Sequence, residues 1–320
     1  MIRVGVIGGA GYTAGELIRL LINHSEIEIA FIHSTSNAGN HVASVHKDLI
    51  GETDLKFSDS TKHLVDVVFL CMGHGQSKTF LEEHPLEPEV KIIDLSQDFR
   101  LEGESGFVYG LPELNHNAIR IAKKVANPGC FATCIQLALL PLAASAKLQS
   151  EIHVNAITGS TGAGQKATDT THFSWRNNNI SVYKAFEHQH LKEIRQSLLQ
   201  LQPNFNEPVN FIPWRGNFTR GIMASVYTKF QGKLDEAIEL YESYYQDHPF
   251  TVISKDNPDL KQVVNTNKAI LYLQKFEDKL LIISAIDNLL KGASGQALQN
   301  LNLMYSLPET KGLKLKATAF

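Results

Sequence analysis

Cys130 stands in the stretch Asn127-Pro128-Gly129-Cys130-Phe131-Ala132-Thr133, directly before the apolar run Cys134–Ala144. That spacing sets the thiol at or near a helix N-terminus, where unpaired N–H groups and the helix dipole favour a thiolate. A thiolate is the form that attacks an acyl carbon. Pro128 and Gly129 fix the turn and clear space around the sulfur, and Asn127 either holds that turn or donates to a developing oxyanion. Cys71 and Cys134 read as buried structural thiols. A cysteine nucleophile also needs a general acid/base within reach, and Glu187-His188-Gln189-His190 lies just before a helical pattern. Alternate residues of an extended segment point to opposite sides. One histidine is therefore expected to face the site while the other packs or binds a partner. His190, at the mouth of the helix, is the expected acid/base, and His188 is assigned to the substrate side. A His-x-His zinc pair lacks a third ligand pattern nearby, so no metal is expected.

Three segments suit an anionic acyl phosphate. Asp94-Leu95-Ser96-Gln97-Asp98-Phe99-Arg100 follows an apolar run and sets Arg100 near a ligand crevice. Asn217-Phe218-Thr219-Arg220-Gly221 sets Arg220 at a strand start. A guanidinium matches phosphate and carboxylate geometry. Gly159-Ser160-Thr161-Gly162-Ala163-Gly164 follows a strand and reads as a nest of backbone N–H donors, with Ser160 toward substrate and Gly162 and Gly164 toward a cofactor.

The first strand ends in Gly8-Gly9-Ala10-Gly11-Tyr12-Thr13-Ala14-Gly15 and a helix follows. Gly8, Gly11 and Ala14 match G-x-x-G-x-x-[GA] in the context that motif needs, so the 8–14 loop, with Tyr12 and Thr13, is expected to meet a dinucleotide pyrophosphate. The second strand ends in His33-Ser34-Thr35-Ser36-Asn37. A carboxylate there would hold the ribose hydroxyl of NAD; the hydroxyls of Ser34, Thr35 and Ser36 favour a 2′-phosphate, hence NADP, though no arginine is present to clamp it. His74, in a loop after the run Asp66–Met72, is either a cofactor-lining residue or a plain loop residue.

These groups require a scaffold. Short apolar runs at Arg3–Gly8, Glu28–His33, Asp66–Met72 and Lys91–Leu95, with a helical pattern at Gly15–Asn23, predict a parallel sheet covered on both faces. Ile152–Thr158, Asn210–Pro213, Ile222–Phe230, Ala269–Phe276 and Leu280–Ile286 read as strands, and Leu191–Gln202, Lys233–Asp247 and Gly292–Met304 as helices. The expected fold is α/β: a Rossmann-type doubly wound parallel sheet over 1–130, completed by a C-terminal helix within 288–320, plus an α+β catalytic and oligomerisation domain with a mixed sheet over 131–287. The chain has 320 residues, 43% hydrophobic and 20% charged, with a net charge of −3, so no field draws it to nucleic acid or membrane. Three cysteines, no basic-then-apolar leader and no apolar run of ~18 residues point to a cytoplasmic protein.

The joint set resembles the N-acetyl-gamma-glutamyl-phosphate reductase family: Gly-Gly-Ala-Gly-Tyr-Thr at 8–13, Asp-Leu-Ser-Gln-Asp-Phe-Arg at 94–100, Tyr-Gly-Leu-Pro-Glu-Leu at 109–114, Asn-Pro-Gly-Cys at 127–130, His-Gln-His at 188–190, Arg-Gly-Ile at 220–222 and Asp-Asn-Leu-Leu-Lys-Gly-Ala-Ser-Gly-Gln-Ala at 287–297. The resemblance spans nearly the whole chain and implies a fold related to aspartate-semialdehyde dehydrogenases. It also implies NADPH-dependent reduction of an acyl phosphate, a small-molecule substrate, in arginine biosynthesis; separately, the mixed second domain could pair sheets across subunits, and a homo-oligomer, dimer or tetramer, is expected. Carried over, Cys130 forms the thioester and His190 is the acid/base. Arg100 and Arg220 hold phosphate or carboxylate, and Asn288 with Gly292–Gly295 lies near the nicotinamide. Thr35 replaces an arginine common in the family, and Thr170–Arg176 departs from its usual versions and would shape the acyl pocket, acetyl or succinyl. The rival readings are an aspartyl- or aminoadipyl-phosphate reductase and a non-catalytic dinucleotide-binding regulator.

Overall fold

The computed structural model describes residues 1–73, 75–101, 103 and 106–319; His74 lies outside them. The chain forms two compact units, Met1–Pro128 with Ala293–Leu313, and Gly129–Gly292 with the residues from Lys314 on. The expectation for 288–320 is thus trimmed at both ends. Residues 288–292 and the tail belong to the second unit, where Thr318 N donates to Val264 O and Asn265 Nδ2 to Lys316 O.

In the first unit the elements run β1 (Ile2–Ile7), α1 (Tyr12–Leu21), β2 (Ile27–His33), β3 (Phe57–Ser58), β4 (Val67–Leu70), α2 (Gln76–Glu83), β5 (Lys91–Asp94), β6 (Val108–Tyr109), α3 (Pro112–Ile121) and β7 (Lys124–Ala126). The strands form one parallel sheet in the order β3-β2-β1-β4-β5-β7-β6. β-Branched and aromatic runs suit such a sheet because both faces are covered. Val4, Val6, Ile7, Val67, Val68, Phe69 and Leu70 are all fully buried. Phe80 of α2 joins Ile7, Phe31, Val68, Leu70 and Ile92 in one buried apolar cluster. The strand order reverses between β1 and β4, which opens a crevice beyond their C-terminal ends.

The second unit contains α4 (Cys130–Ala144), β8 (Ile152–Thr158), α5 (Phe173–Arg176), β9 (Ser181–Val182), α6 (His190–Leu201), β10 (Val209–Arg215), β11 (Ile222–Lys229), α7 (Leu234–Tyr245), β12 (Thr251–Ser254), β13 (Ala269–Phe276) and β14 (Lys279–Ile286); α8 (Gly295–Met304) then rejoins the first unit. Its sheet is mixed, ordered β12-β13-β14-β11-β8-β10-β9, with β8–β10 and β12–β13 parallel. Strict alternation in β8 and β11 buries one row and leaves the other half-covered. That second row pairs Ile157 with Met223 and Ile283 with Tyr272, and stacks His153 on Tyr227 at 4.7 Å.

Helix α4 is apolar on every side and buried from Phe131 to Ala143. Pro141 interrupts it by removing the N–H that would have met Leu137 O. The Tyr245 hydroxyl of α7 donates to that carbonyl at 2.6 Å, and the Tyr241 hydroxyl donates to Ala138 O. Both phenols are buried. Tyr245→Phe is therefore expected to destabilise the protein by ~1–3 kcal/mol, the usual cost of an unmet buried carbonyl. Pro141→Ala, which restores a helical donor, should cut that loss. Urea unfolding of the two single variants and the double variant reads the coupling, and purely additive effects would contradict it.

Candidate active site

Cys130 is the first residue of α4, and Gly129 is its extended N-cap at φ −70°, ψ 149°. Gly129 has to be glycine: a Cβ there would lie 2.3 Å from Nε2 of His190. The imidazole thus fills the space beside the backbone that leads into Cys130. From the other side, a Cβ on Gly292 would lie 2.8 Å from Cβ of Cys130. Gly292 belongs to a π-helical turn, Leu290–Ser294, and its N–H donates to Asp287 O. Such turns recur at functional sites because the extra residue redirects the chain. Cys130 keeps partial exposure, whereas Cys71 and Cys134 are buried and their thiols are pushed up by desolvation, Cys134 to about 12. The expectation that these two are structural agrees with that burial.

Glu193 follows His190 by three residues on α6. Its Oε2 accepts from Gly129 N at 2.9 Å and its Oε1 stands 3.8 Å from His190 Nε2. One buried carboxylate thereby holds both the turn before the nucleophile and the candidate acid/base. The sequence reading passed over it, although the spacing His190-x-x-Glu193 on a helix is the available signal.

The two histidines do not point to opposite sides. Gln189 is helical at φ −56°, ψ −28°, so the segment is not extended. The rings of His188 and His190 meet edge to face at 4.5 Å, and His190 N donates to His188 Nδ1. His188 also packs against Phe131, Phe211 and Tyr183. Burial, and then the neighbouring His190, push its pKa down to about 3.

Arg220 donates through Nε to Asp287 Oδ2 at 3.1 Å, and its Nη2 forms an ion pair with the same oxygen at 3.0 Å. Asp287 is fully buried and also accepts from the N–H groups of Asn265, Leu289 and Leu290. Asn288 accepts from Gly221 N and donates to Thr161 Oγ1, so its amide ties the arginine turn to the 159–164 loop. That loop is not the open anion nest expected. The N–H groups of Gly159, Ser160 and Thr161 go to the carbonyls of Gly221, Phe218 and Thr219, and those of Gly162 and Gly164 close turns on Gly159 and Thr161. The loop lies against 218–221, which takes up the donors the nest would have offered. Gly164, at φ +80°, retains open space.

In the first unit Asn127 is 1% exposed, and its side chain donates to Ala293 O and accepts from Asn300 Nδ2. Of the two roles open to it, this geometry is that of holding the turn. Arg100 is likewise buried, with Nε on Asn127 O and Nη2 on Leu95 O. Both therefore brace the backbone that leads to residue 128, and Arg100 is not displayed as an open phosphate clamp.

The glycine loop has the shape a dinucleotide needs. Gly8 takes φ +78°, and a Cβ on it would lie 2.7 Å from Cys71 O. Gly9 packs against Ile32, Gly15 against His46, and His46 Nε2 meets Gly9 O at 2.7 Å. Gly11, the N-cap of α1, faces empty space, which leaves room for a phosphate at the helix start beside Tyr12 and Thr13. Ala14 is buried. Thr13 O accepts from Ser294 Oγ. After β2, Asn37 Nδ2 donates to the hydroxyls of Ser34 and Ser36, and Thr35 and Ser36 stay exposed. Among the described residues no group of His, Cys, Asp and Glu side chains could hold a metal, and no helix is long and apolar enough to cross a membrane.

Comparison with known proteins gives two family matches. Residues 3–122 match the semialdehyde dehydrogenase NAD binding domain, and residues 130–288 match the semialdehyde dehydrogenase dimerisation domain. Proteins called N-acetyl-gamma-glutamyl-phosphate reductase are 61% identical in Parabacteroides distasonis, 60% in Bacteroides thetaiotaomicron and 53% in Flavobacterium johnsoniae, each over all of both chains. Among solved structures, aspartate semialdehyde dehydrogenase II of Vibrio cholerae superposes with a TM-score of 0.75 at 16% identity, covering 96% of this chain and 98% of that one. The Candida albicans aspartate semialdehyde dehydrogenase, solved with NADP, gives 0.72 at 13% identity, covering 95% and 98%. These superpositions establish the two-part fold, and the NAD binding domain match makes the cofactor a nicotinamide dinucleotide.

The burial of His188 has a measurable consequence. Below pH ~6.5, the ordinary histidine value, the unfolded chain binds a proton on this residue, while the folded chain refuses it down to about pH 3. The contribution is complete above the unfolded value and declines as pH falls toward the folded one. Urea midpoints measured from about pH 7 down to pH 5 should thus fall less steeply in His188→Gln than in the parent protein. An identical slope in both would rule out a neutral, buried His188.

Proposed function

The chain belongs to the N-acetyl-gamma-glutamyl-phosphate reductase family, and from that premise we propose that it reduces an N-acyl-gamma-glutamyl phosphate to the 5-semialdehyde with release of phosphate, a step of arginine biosynthesis. The observation that carries the reading is Cys130 as first residue of α4, with the His190 imidazole in the gap left by Gly129. His190 takes the thiol proton. The thiolate, favoured by the helix N-terminus, bonds to the acyl carbon; the carbon–oxygen bond to phosphate breaks and a thioester remains on Cys130. When bound, the nicotinamide dinucleotide supplies the hydride. Collapse of the resulting thiohemiacetal breaks the carbon–sulfur bond, releases the aldehyde and returns the sulfur as thiolate, to which His190 can restore its proton. Glu193 supports this by fixing the imidazole and balancing its charge when protonated.

For the cofactor, the reading is NADP: Thr35 and Ser36 present hydroxyls after β2, where a carboxylate would repel a 2′-phosphate. Gly8, Gly11, Tyr12, Thr13 and Ala14 would hold the pyrophosphate at the start of α1. Arg220, charge-balanced by Asp287, would orient the substrate with Ser160 nearby in the chain's 159–164 loop. The half-covered row of the mixed sheet suits a second copy of the chain, in keeping with the dimerisation domain match.

Cys130→Ser is expected to abolish phosphate-dependent NADP reduction by N-acyl-glutamate 5-semialdehyde while dinucleotide binding, followed by nucleotide fluorescence, survives. Thr35→Asp should lower kcat/KM for NADP by about tenfold relative to NAD, since a carboxylate there opposes the 2′-phosphate. Turnover of Cys130→Ser near the parent rate would refute the nucleophile.

A further inference from the structure

Arg215 ends β10, in register with Thr158 at the end of the parallel strand β8. Side chains of a strand alternate, so Phe211, Pro213 and Arg215 share one face. Phe211 identifies that face: its ring meets Phe131 of α4 at 5.2 Å and His188 at 5.4 Å. The guanidinium of Arg215 lies 4.6 Å from the centroid of the Tyr183 ring. Tyr183 lies 5.8 Å from His188, and His188 lies 4.5 Å from His190. Arg215 thus closes a continuous row of rings that leads to the nucleophile's turn.

The three arginines of this unit that lie near these elements are used differently. Arg220 is matched by the buried carboxylate of Asp287. Arg176 is buried, and its Nε, Nη1 and Nη2 all donate, to Thr170 O, Asn179 O, Arg215 O and Ser181 Oγ. It therefore pins the 170–181 segment to the end of β10. Arg215 alone of the three has an Nε that is buried and meets no acceptor among the described residues, and no carboxylate among them pairs with it. The positive charge of Arg176, one hydrogen bond away at Arg215 O, adds to the imbalance. Of these two positive groups at the end of β10, Arg176 is used up by protein acceptors, and Arg215, whose Nε has none, is the one left to meet an anion brought from outside.

Resting on the reaction assigned above, we propose that Arg215 is a specificity-determining residue that pairs with a carboxylate of the substrate remote from the reacting carbon. Arginine fits this role because its planar fork takes a carboxylate in two parallel bonds. Tyr183 beneath the guanidinium holds the fork flat and excludes water from one side. Two carboxylates meet the description: the α-carboxylate present in every N-acylglutamyl substrate, and the terminal carboxylate of a dicarboxylic N-acyl group.

The test uses full-length protein, the phosphate-dependent assay, and Arg215→Met beside Arg215→Lys. Substrates are N-acetylglutamate 5-semialdehyde, its α-carboxamide and the N-succinyl counterpart. Arg215→Met is expected to raise KM about tenfold or more, with kcat within about threefold, and Arg215→Lys to recover part of the loss. If the α-carboxylate is the partner, both acyl forms lose and the carboxamide, poor with the parent, loses nothing further. If the acyl carboxylate is the partner, only the N-succinyl substrate loses. Equal KM values for all three substrates in parent and variants, or a fall in kcat at constant KM, would overturn the proposal. Titration calorimetry with N-acetylglutamate, its α-amide and N-succinylglutamate as non-reacting probes reads recognition without turnover. Failure of the reaction assignment and failure of this inference are thereby told apart: parent protein that binds carboxylates through Arg215 yet turns over nothing sinks only the former.

Discussion

A side chain is missing at position 129, and the site is built around that gap. The imidazole of His190 stands where a Cβ would be, so the proposed acid/base sits against the backbone that precedes the proposed nucleophile only because α4 is capped by a glycine. The same glycine offers its N–H to Glu193, which also faces the imidazole. Helix start, base and carboxylate are therefore one mechanical object. A helix N-terminus attracts negative charge over its first turn only, and Cys130 is the first residue of that turn. Moving the start of α4 by one residue would remove both the field and the imidazole from the sulfur.

That start has to be held still, and the packing of α4 explains how. An apolar helix buried on all sides cannot rotate or slide without opening cavities. Its one flaw, Pro141, is repaired by a phenol from α7. In the other unit, Asn127 and Arg100 brace the strand end that leads into the turn, through bonds to Ala293, Asn300 and Leu95. Residues that look like candidate ligands when read as a string become, in three dimensions, the fixtures of a rigid loop.

The contrast between what could and could not be read from the sequence follows from distance along the chain. The parallel sheet, the glycine loop and the helix-start cysteine are local patterns, and their positions in the structure agree with the patterns: β8 and β13 span the segments expected of them. Short edge elements such as β3, β6 and β9, each two residues long, carry too few residues to show a period. The two histidines of 188–190 do not alternate as an extended segment would, because the backbone turns helical one residue before His190. The 159–164 loop is not an open nest because its first three donors are taken by residues about sixty positions away, which no local pattern shows. Asp287 and Arg215 gave no local cue. Their meaning depends on which partner each has, or lacks, across the sheet.

Asp287 joins two matters that are usually separable. Its carboxylate neutralises Arg220, while its main-chain oxygen receives Gly292 N in the turn that lies against Cys130. The same carboxylate also takes the N–H groups of Leu289 and Leu290, where that turn begins, so charge at one spot and shape at another are governed by a single codon. Over generations, lineages could not retune the arginine by altering its acid without also disturbing the contour beside the sulfur. Variation in this enzyme's ligand preference would have to accumulate elsewhere on the rim, at positions that answer to only one demand.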